Sequence, residues 1–302
     1  MRLLQLIDLY FHVCEVYDNR LISECFRHTK NGMEPDFTDQ EVLTCYLLGV
    51  GWERRTSIRD IHNLIKHHYL DCFPNIPGYS AFNYRLNRLS NCLPTLIEYA
   101  LCEWVKAPNS MHTAQLLTDS FPVVLANWRR RPKVAPGLSD KGFCAVKNMF
   151  YQGVKVHITA WEQTGTIPIP EFITITPASV NDLKAQNHVY KQVNHLTLVG
   201  DKAYHTKTLV RSFTKAGGRL LAPQKQYAQV AQALRHMDAA AHKQMQCAIA
   251  ALRQPIETIF SWLKHHTDIQ VASRVRSTAG LFVHIFGRIA AAIMANKVIL
   301  AI

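Results

Sequence analysis

The chain has 302 residues, of which 48% are hydrophobic and 19% are charged. That composition predicts one large globular domain or two smaller ones, and it excludes a wholly disordered chain. The 34 Lys and Arg residues outnumber the 22 Asp and Glu residues and give a net charge of +12. Such an excess favours a polyanionic partner, nucleic acid before an anionic membrane.

Most of this positive charge lies in the last third of the sequence. After Asp201 there are fourteen Lys or Arg residues and three acidic residues, so eleven of the twelve net positive charges are found there. A merely soluble basic surface would explain the Lys and Arg residues. It would not explain the acids Asp238, Glu257 and Asp268, so a polyanion site is the better interpretation.

No segment predicts secretion or membrane insertion. The eight cysteines form no CxxC pair, and their apolar surroundings favour reduced thiols in a cytosolic protein. The N-terminal apolar stretch acquires acidic residues too early for a secretory signal and has no small-residue cleavage site. The C-terminal apolar stretch is interrupted by His284, Arg288 and Lys297, which favours a packed helix over a membrane span.

Residues 1–106 have a helical pattern. Thr38 and Glu41 form the capping box of one helix, a second helix fits 57–68, and Ser80 caps a third over 81–89. The third helix is rich in Asn, Tyr and Arg and includes Arg85 and Arg88. The last two helices fit a helix-turn-helix that contacts DNA through Arg85 and Arg88, and they fit a plain helical bundle equally well.

After a predicted linker at 106–110, the pattern changes to alternating strands and helices over 111–302. Strands are predicted over 115–126, 150–161, 171–176, 195–200 and 219–222. Helices are predicted over 178–193 and 206–216. Three more follow the last strand: an Ala-rich helix that ends at 252, a helix that contains 257–264, and a terminal helix that begins near 281. This order predicts an α/β domain, a mixed sheet flanked by helices.

Two aspartates occupy positions that are costly for a charged group. Asp119 interrupts an apolar strand, and Asp201 directly follows another. A buried carboxylate needs compensation, and two on neighbouring strands would repel each other unless divalent cations lay between them. Mg²⁺ prefers a few carboxylate oxygens plus water and phosphate. A role in a turn or as a helix cap would explain Asp201 passably and Asp119 poorly.

Glu257 is the candidate third ligand. On one continuous helix, Arg253, Glu257 and Lys264 would lie within about 40° of each other, with the carboxylate facing metal and the cations facing phosphate. An ordinary exposed Glu–Lys helix face has the same pattern. Pro255 predicts that the helix starts or kinks nearby, which weakens the alignment of Arg253.

Nucleotide-binding, serine-hydrolase and zinc-protease motifs are absent from the sequence.

These blocks resemble the DDE class of bacterial insertion-sequence transposases. The resemblance rests on Asp119-Ser-Phe-Pro122, Gly200-Asp-Lys-Ala-Tyr204 and Arg253-x3-Glu257-x6-Lys264, with 142–145 and 153–157 similar to the family's second-strand region. Ala250 stands where the family signature has Tyr, and Ala203 stands where related sequences often have Gly.

The resemblance implies an RNase H-like catalytic domain over 111–302 behind an all-α DNA-binding domain over 1–106. It implies that Asp119, Asp201 and Glu257 hold two Mg²⁺ ions, with Mn²⁺ as a substitute. The enzyme would bind terminal inverted repeats, cut phosphodiesters at the element ends and join the 3′-OH ends to target DNA. A homodimer in the synaptic complex and a cytoplasmic, nucleoid-associated location are also implied.

The expected DNA contacts within the catalytic domain are basic residues. They are Arg129, Arg130, Arg131, Lys133, Lys155, Lys202, Lys207, Arg253 and Lys264. Two alternatives stay open: an RNase H-like metal-dependent nuclease without strand transfer, and a non-catalytic DNA-binding protein derived from a transposase.

Overall fold

The computed structural model describes residues 2–21, 35–105, 112–127, 134–144, 147–163, 167–185, 187–223 and 232–300. Helices come first, a six-stranded mixed sheet follows, and further helices pack on the sheet and on the first helices. The predicted α/β architecture, a mixed sheet flanked by helices behind a helical N-terminal region, is confirmed. The predicted linker at 106–110 lies outside the described residues.

The N-terminal helices follow the sequence signals closely. They are α1 (Arg2–Val16, extended by a π-helical turn at Tyr17–Leu21), α2 (Asp39–Gly51), α3 (Ile58–His68), α4 (Tyr79–Arg88) and α5 (Cys92–Val105). Thr38 and Glu41 form the predicted capping box of α2, because each side chain bonds the other residue's backbone N–H. Ser57 caps α3.

The third predicted helix differs in two respects. It begins at Tyr79, with Gly78 at the cap position and no side-chain cap, so the predicted capping by Ser80 is wrong. The connection between α3 and α4 covers residues 69–78, longer than the three or four residues of a helix-turn-helix turn. This length favours the helical-bundle interpretation.

Arg85 is directed into the helical bundle. Its Nη2 atom donates to Asp39 Oδ1 at 2.9 Å, and the two side chains are only 15% and 6% exposed. Its guanidinium also lies 5.7 Å from the ring centre of Phe37. The guanidinium that was expected to contact DNA is thus engaged in a buried ion pair that fixes α4 to the start of α2.

The sheet consists of β1 (His112–Asn127), β2 (Asp140–Cys144), β3 (Met149–Gln163), β4 (Ile169–Pro177), β5 (Thr197–Val199) and β6 (Arg219–Leu221). Strand β3 pairs antiparallel with β1 on one side and with β2 and β4 on the other. On the far side of β1, β5 and then β6 pair in parallel. The parallel strands are reached through α6 (Asp182–Ala185), α7 (Asn187–Val193) and α8 (Lys207–Lys215), so the single predicted helix over 178–193 is two short ones.

The two faces of the sheet contribute to different cores. Leu117 of β1 and Val199 of β5 lie in the large core, which also includes the N-terminal helices. Their neighbours Leu116 and Leu198 lie in a smaller core with Tyr190 of α7. Because side chains alternate along a strand, Asp119, two positions beyond Leu117 in β1, faces the large core side.

A single helix, α9 (Gln232–Thr267), crosses the large core side of the sheet. Pro255 lies inside it, so the helix does not start near Pro255, which was one of the two possibilities predicted from the sequence. Proline removes one backbone hydrogen bond and crowds the preceding turn. Packing of Ile256, Ile259 and Leu263 into the core explains how the helix continues through it.

The C-terminal helix packs against the N-terminal region. It comprises α10 (Thr278–Phe282), a π-helical turn (Val283–Gly287) and α11 (Arg288–Leu300). A Cβ at Gly51 would lie 2.7 Å from the Ala291 carbonyl oxygen, so glycine permits close contact between α2 and α11. Residues 278–295 are apolar and long enough to span a membrane, but 72% of that stretch is buried within the protein, as in a core helix.

The cysteines depart from expectation at one position. Cys92 is disulfide-bonded, so the expectation that all eight are reduced thiols is wrong. The free thiols among the described residues are those of Cys14, Cys45, Cys72, Cys102, Cys144 and Cys247. Scattered spacing alone does not reveal pairing.

The Arg85 ion pair predicts a difference between two neighbouring arginines. Arg85→Ala removes the guanidinium partner of the buried Asp39 carboxylate and is expected to lower the free energy of unfolding by about 3 kcal/mol. Arg88→Ala, on the exposed side of α4, should change it by less than about 0.5 kcal/mol. Urea denaturation followed by circular dichroism measures both values. Equal small losses would show that the Arg85 pair does not stabilise the bundle.

Candidate functional site

Asp119 lies in the middle of β1 with its carboxylate only partly exposed. Oδ1 accepts a hydrogen bond from the Ser120 backbone N–H at 2.8 Å. Oδ2 accepts one from Arg253 Nη2 at 3.2 Å. Burial raises the pKa of Asp119 to about 6; the Ser120 N–H and Arg253 lower it, and the carboxylates of Asp201 and Asp182 raise it further. Burial therefore destabilises the ionised carboxylate of Asp119, and a bound cation would offset that free-energy cost.

Asp201 lies two residues after the end of β5. Its carboxylate accepts a hydrogen bond from the Ala203 backbone N–H, and its carbonyl accepts one from the Tyr204 N–H at 3.0 Å. Asp201 therefore has the turn role that the sequence left open. It does not cap the following helix, because Thr206 caps α8.

Strand register places the two aspartates together. Leu117 pairs with Val199, the last residue of β5, across the parallel β1–β5 ladder. Asp119 lies two residues further along β1, and Asp201 lies two residues past the end of β5, so the parallel pairing brings the two aspartates to the same end of the ladder. The raising effect of Asp201 on the Asp119 pKa agrees with this proximity.

Helix α9 brings Arg253 to this point. Phe260 of α9 packs against Phe121 of β1 with ring centres 4.9 Å apart, and Ile256 is fully buried. Arg253 lies two turns before Phe260 on the same side of the helix and reaches Asp119. The continuity of α9 through Pro255 restores the alignment of Arg253 that the sequence left in doubt.

Glu257 lies one helical turn after Arg253, about 40° around the helix axis. Its side chain is exposed. Lys264 is also exposed and lies about 20° from Arg253 around the same axis. The helix therefore presents a carboxylate and two cations on neighbouring lines of one face, beside the paired aspartates.

The chain was compared with known proteins. The family model described as a transposase DDE domain matches residues 129–294, more than half of the sequence. The chain belongs to the DDE transposase family. The matched range includes Asp201 and Glu257 and begins after Asp119.

No curated protein matches this transposase. A solved structure described as a crystal structure of a pre-cleavage Mos1 transpososome is similar over 95% of this chain and 86% of that chain. The two are 14% identical, with a TM-score of 0.22. A likeness at this level carries no argument about fold or function.

The two aspartates of the transposase fit a divalent cation, whereas the third ligand is not in place. Asp119 in β1 and Asp201 in the turn after β5 supply carboxylate oxygens, the ligands that Mg²⁺ prefers. Within the described ranges, no three Asp, Glu, His or Cys side chains are grouped so that they could hold a metal ion. Arg253 supplies the positive charge at Asp119. A metal bound there would have to displace its guanidinium.

A third aspartate near the site was missed from the sequence. Asp182, at the start of α6, accepts hydrogen bonds from Ser120 Oγ and from Lys155 Nζ, each at 3.1 Å. The buried imidazole of His157 lies 3.8 Å from the same oxygen, and burial lowers the pKa of His157 to about 4. A carboxylate just after the turn that ends β4 was the available signal, since Asp201 also closely follows a strand.

The remaining expected DNA contacts divide into three groups. Lys155 is engaged internally, since Nζ also donates to the Val180 carbonyl at 3.1 Å, so it packs β3 against the segment before α6. Exposed residues are Arg88, Lys202, Lys207 and Lys264. Arg129, Arg130, Arg131 and Lys133 lie outside the described residues.

Proposed function

We propose that this transposase cuts DNA with a metal site formed by Asp119, Asp201 and Glu257 and then joins the cut ends to target DNA. The observation that carries the proposal is the parallel pairing of β1 with β5, together with the effect of the Asp201 carboxylate on the pKa of Asp119. Family membership supports the same conclusion, because the DDE name denotes three acidic residues in this order. The substrate is the DNA at the terminal inverted repeats of the element.

Two bound Mg²⁺ ions would supply the chemistry that carboxylates alone lack: a water of lowered pKa and charge stabilisation of the leaving 3′-oxygen. Asp119 and Asp201 would hold them from the sheet and Glu257 from α9. Mn²⁺ has similar ligand preferences and is expected to substitute.

Arg253 has a second role in this proposal. Its guanidinium neutralises Asp119 when no cation is bound and becomes available to a phosphate when one is. Arginine binds phosphate oxygens with two parallel hydrogen bonds, so the residue would hold the DNA backbone next to the cut. Exposed Lys202, Lys207 and Lys264 would contribute sequence-independent backbone affinity.

Joining requires no covalent protein intermediate. The 3′-OH released by cleavage replaces water as the nucleophile, and the same carboxylates and basic residues position it against target DNA. Two copies of the chain would synapse two element ends, and the enzyme would act on the bacterial nucleoid in the cytoplasm.

Substitution of the three acids tests the cutting step. Asp119→Asn, Asp201→Asn and Glu257→Gln are each expected to abolish Mg²⁺-dependent cleavage of element-end DNA and to leave duplex binding largely unchanged, because each removes a ligand charge and retains the shape. Cleavage is measured on labelled duplex in gels, and binding by fluorescence anisotropy.

Asp268→Asn is the matched control. It removes another acid from the basic last third at a position with φ +53°, a conformation that Asn readily adopts. The control is expected to cut at the wild-type rate. A triad variant that also cuts at the wild-type rate would remove that residue from the metal site.

A strand-transfer assay separates the transposase from a simple nuclease. Pre-cleaved ends with a free 3′-OH, incubated with the enzyme, Mg²⁺ and a supercoiled plasmid, are expected to yield covalently joined product. Ends that terminate in a 3′-dideoxynucleotide should give none, because the nucleophile is missing. Cleavage activity without joining under any of these conditions would support the RNase H-like nuclease instead.

A further inference from the structure

A basic cavity of about 540 Å³ lies between the N-terminal helices and the segment that leads into the C-terminal helix. One side is formed by the start of α3 and by Asn83 and Asn87 of α4, and the other by 274–288. Neither side includes Asp119, Asp201 or Glu257. It is therefore distinct from the proposed metal site.

The charged side chains that line the cavity are mostly arginines. They are Arg59, Arg274, Arg276 and Arg288, with Asp60 as their acidic neighbour. Asp60 and Arg274 are 4.0 Å apart and are 52% and 74% exposed, so that pair is weak. The excess of positive charge is left for an external anion.

Arg288 is the strongest sign of such an anion. Only 5% of the residue is exposed, and its Nη2 donates to the Thr56 carbonyl oxygen at 2.6 Å. Its buried Nε and Nη1 have no hydrogen-bond partner among the described residues. A buried guanidinium with two unsatisfied nitrogens is costly, and an anion in the cavity would compensate it.

The start of α3 adds backbone donors at the same place. Ser57 Oγ accepts from the Asp60 N–H at 3.1 Å, and the Ile61 N–H bonds the Ser57 carbonyl. The N–H groups of Ile58 and Arg59 belong to the first turn, which has no intrahelical acceptors, and a helix N-terminus favours anions. Arg59 is held at the rim by the Tyr79 ring, with Cζ 4.7 Å from its centre.

We propose that this cavity binds the phosphodiester backbone of duplex DNA. The proposal deepens the proposed function and rests on it, since DNA is the substrate inferred above. Four arginines line one cavity, and two of them, Arg274 and Arg276, are exposed at its rim. This is more positive charge than one small anion would neutralise, and it fits the successive phosphates of a DNA strand. The cavity joins two parts of the chain, so bound DNA bridges the N-terminal helices and the C-terminal segment.

The segment that carries the rim arginines is attached to the strand of Asp119. Val124 of β1 donates its N–H to the Gln270 carbonyl and accepts from the Ala272 N–H, each at 2.9 Å. Val124 lies five residues along β1 from Asp119, about 17 Å. DNA held by Arg274 and Arg276 is thereby positioned relative to the metal site through a single rigid strand.

Duplex binding in EDTA tests the proposal without cleavage. Anisotropy of a fluorescein-labelled random-sequence duplex is measured over a KCl series. The double variant Arg274→Ala/Arg276→Ala should bind more weakly, and the slope of log K against log salt should fall by about 1.8, about 0.9 for each lost phosphate contact. Arg59→Ala should lose about half as much slope.

Lys66→Ala/Lys215→Ala is the matched control. It removes two positive charges from exposed positions outside the cavity and should leave the slope within error of wild type. An equal decrease of the slope in both double variants would overturn the proposal, because the decrease would then follow from the lower net charge of the protein and not from the cavity. A wild-type slope in Arg274→Ala/Arg276→Ala would overturn it as well.

Arginine modification locates the contact independently. A dicarbonyl reagent followed by mass spectrometry should modify Arg59, Arg274 and Arg276 in the free protein and be blocked at all three by duplex DNA. Modification unaffected by DNA would overturn the proposal. A wild-type salt slope in Arg274→Ala/Arg276→Ala, with cleavage that still depends on the triad, rejects this inference alone. A reduced slope in that variant, with cleavage that does not depend on the triad, rejects the proposed function alone.

Discussion

The parallel pairing of β1 with β5 is the constraint on which the site depends. It brings together two aspartates that are 82 positions apart in the sequence, on one face of the sheet and under one helix. The pairing is itself supported from both sides, since Leu117 and Val199 lie in the large core and Leu116 and Leu198 in the smaller one. A slip of β5 by one residue would turn Val199 away from the face on which Leu117 lies and would move the turn that carries Asp201 relative to Asp119.

The second constraint is the packing of α9 on that face. Phe260 against Phe121 fixes the helix to β1, and Arg253 then reaches Asp119 one turn before Glu257. The ion pair relieves part of the cost of a buried carboxylate. A divalent cation on Asp119 would compete with the Arg253 guanidinium for that carboxylate, and Glu257 would supply a further carboxylate from α9.

The features of the fold and the site that were predicted correctly depend on residues that are neighbours in the sequence. The features that were predicted wrongly or missed depend on contacts between residues that are far apart in it. The capping box at Thr38, the strand around Asp119 and the carboxylate after β5 depend on neighbouring residues and were readable. Burial of Arg85 depends on Asp39, 46 residues away, and the continuation of α9 through Pro255 depends on core packing that no local pattern reports. Asp182 was missed because its partners, Ser120 and Lys155, lie on other strands.

Diffraction from crystals soaked in Mn²⁺ is the most direct measurement of the metal site, because anomalous scattering locates the ion without assumptions about activity. We expect Mn²⁺ bound by the carboxylates of Asp119 and Asp201, the Glu257 carboxylate turned towards it, and the Arg253 guanidinium displaced from Asp119. An Arg253–Asp119 pair that persists in saturating Mn²⁺, with no ion on either aspartate, would contradict the proposed metal-dependent function.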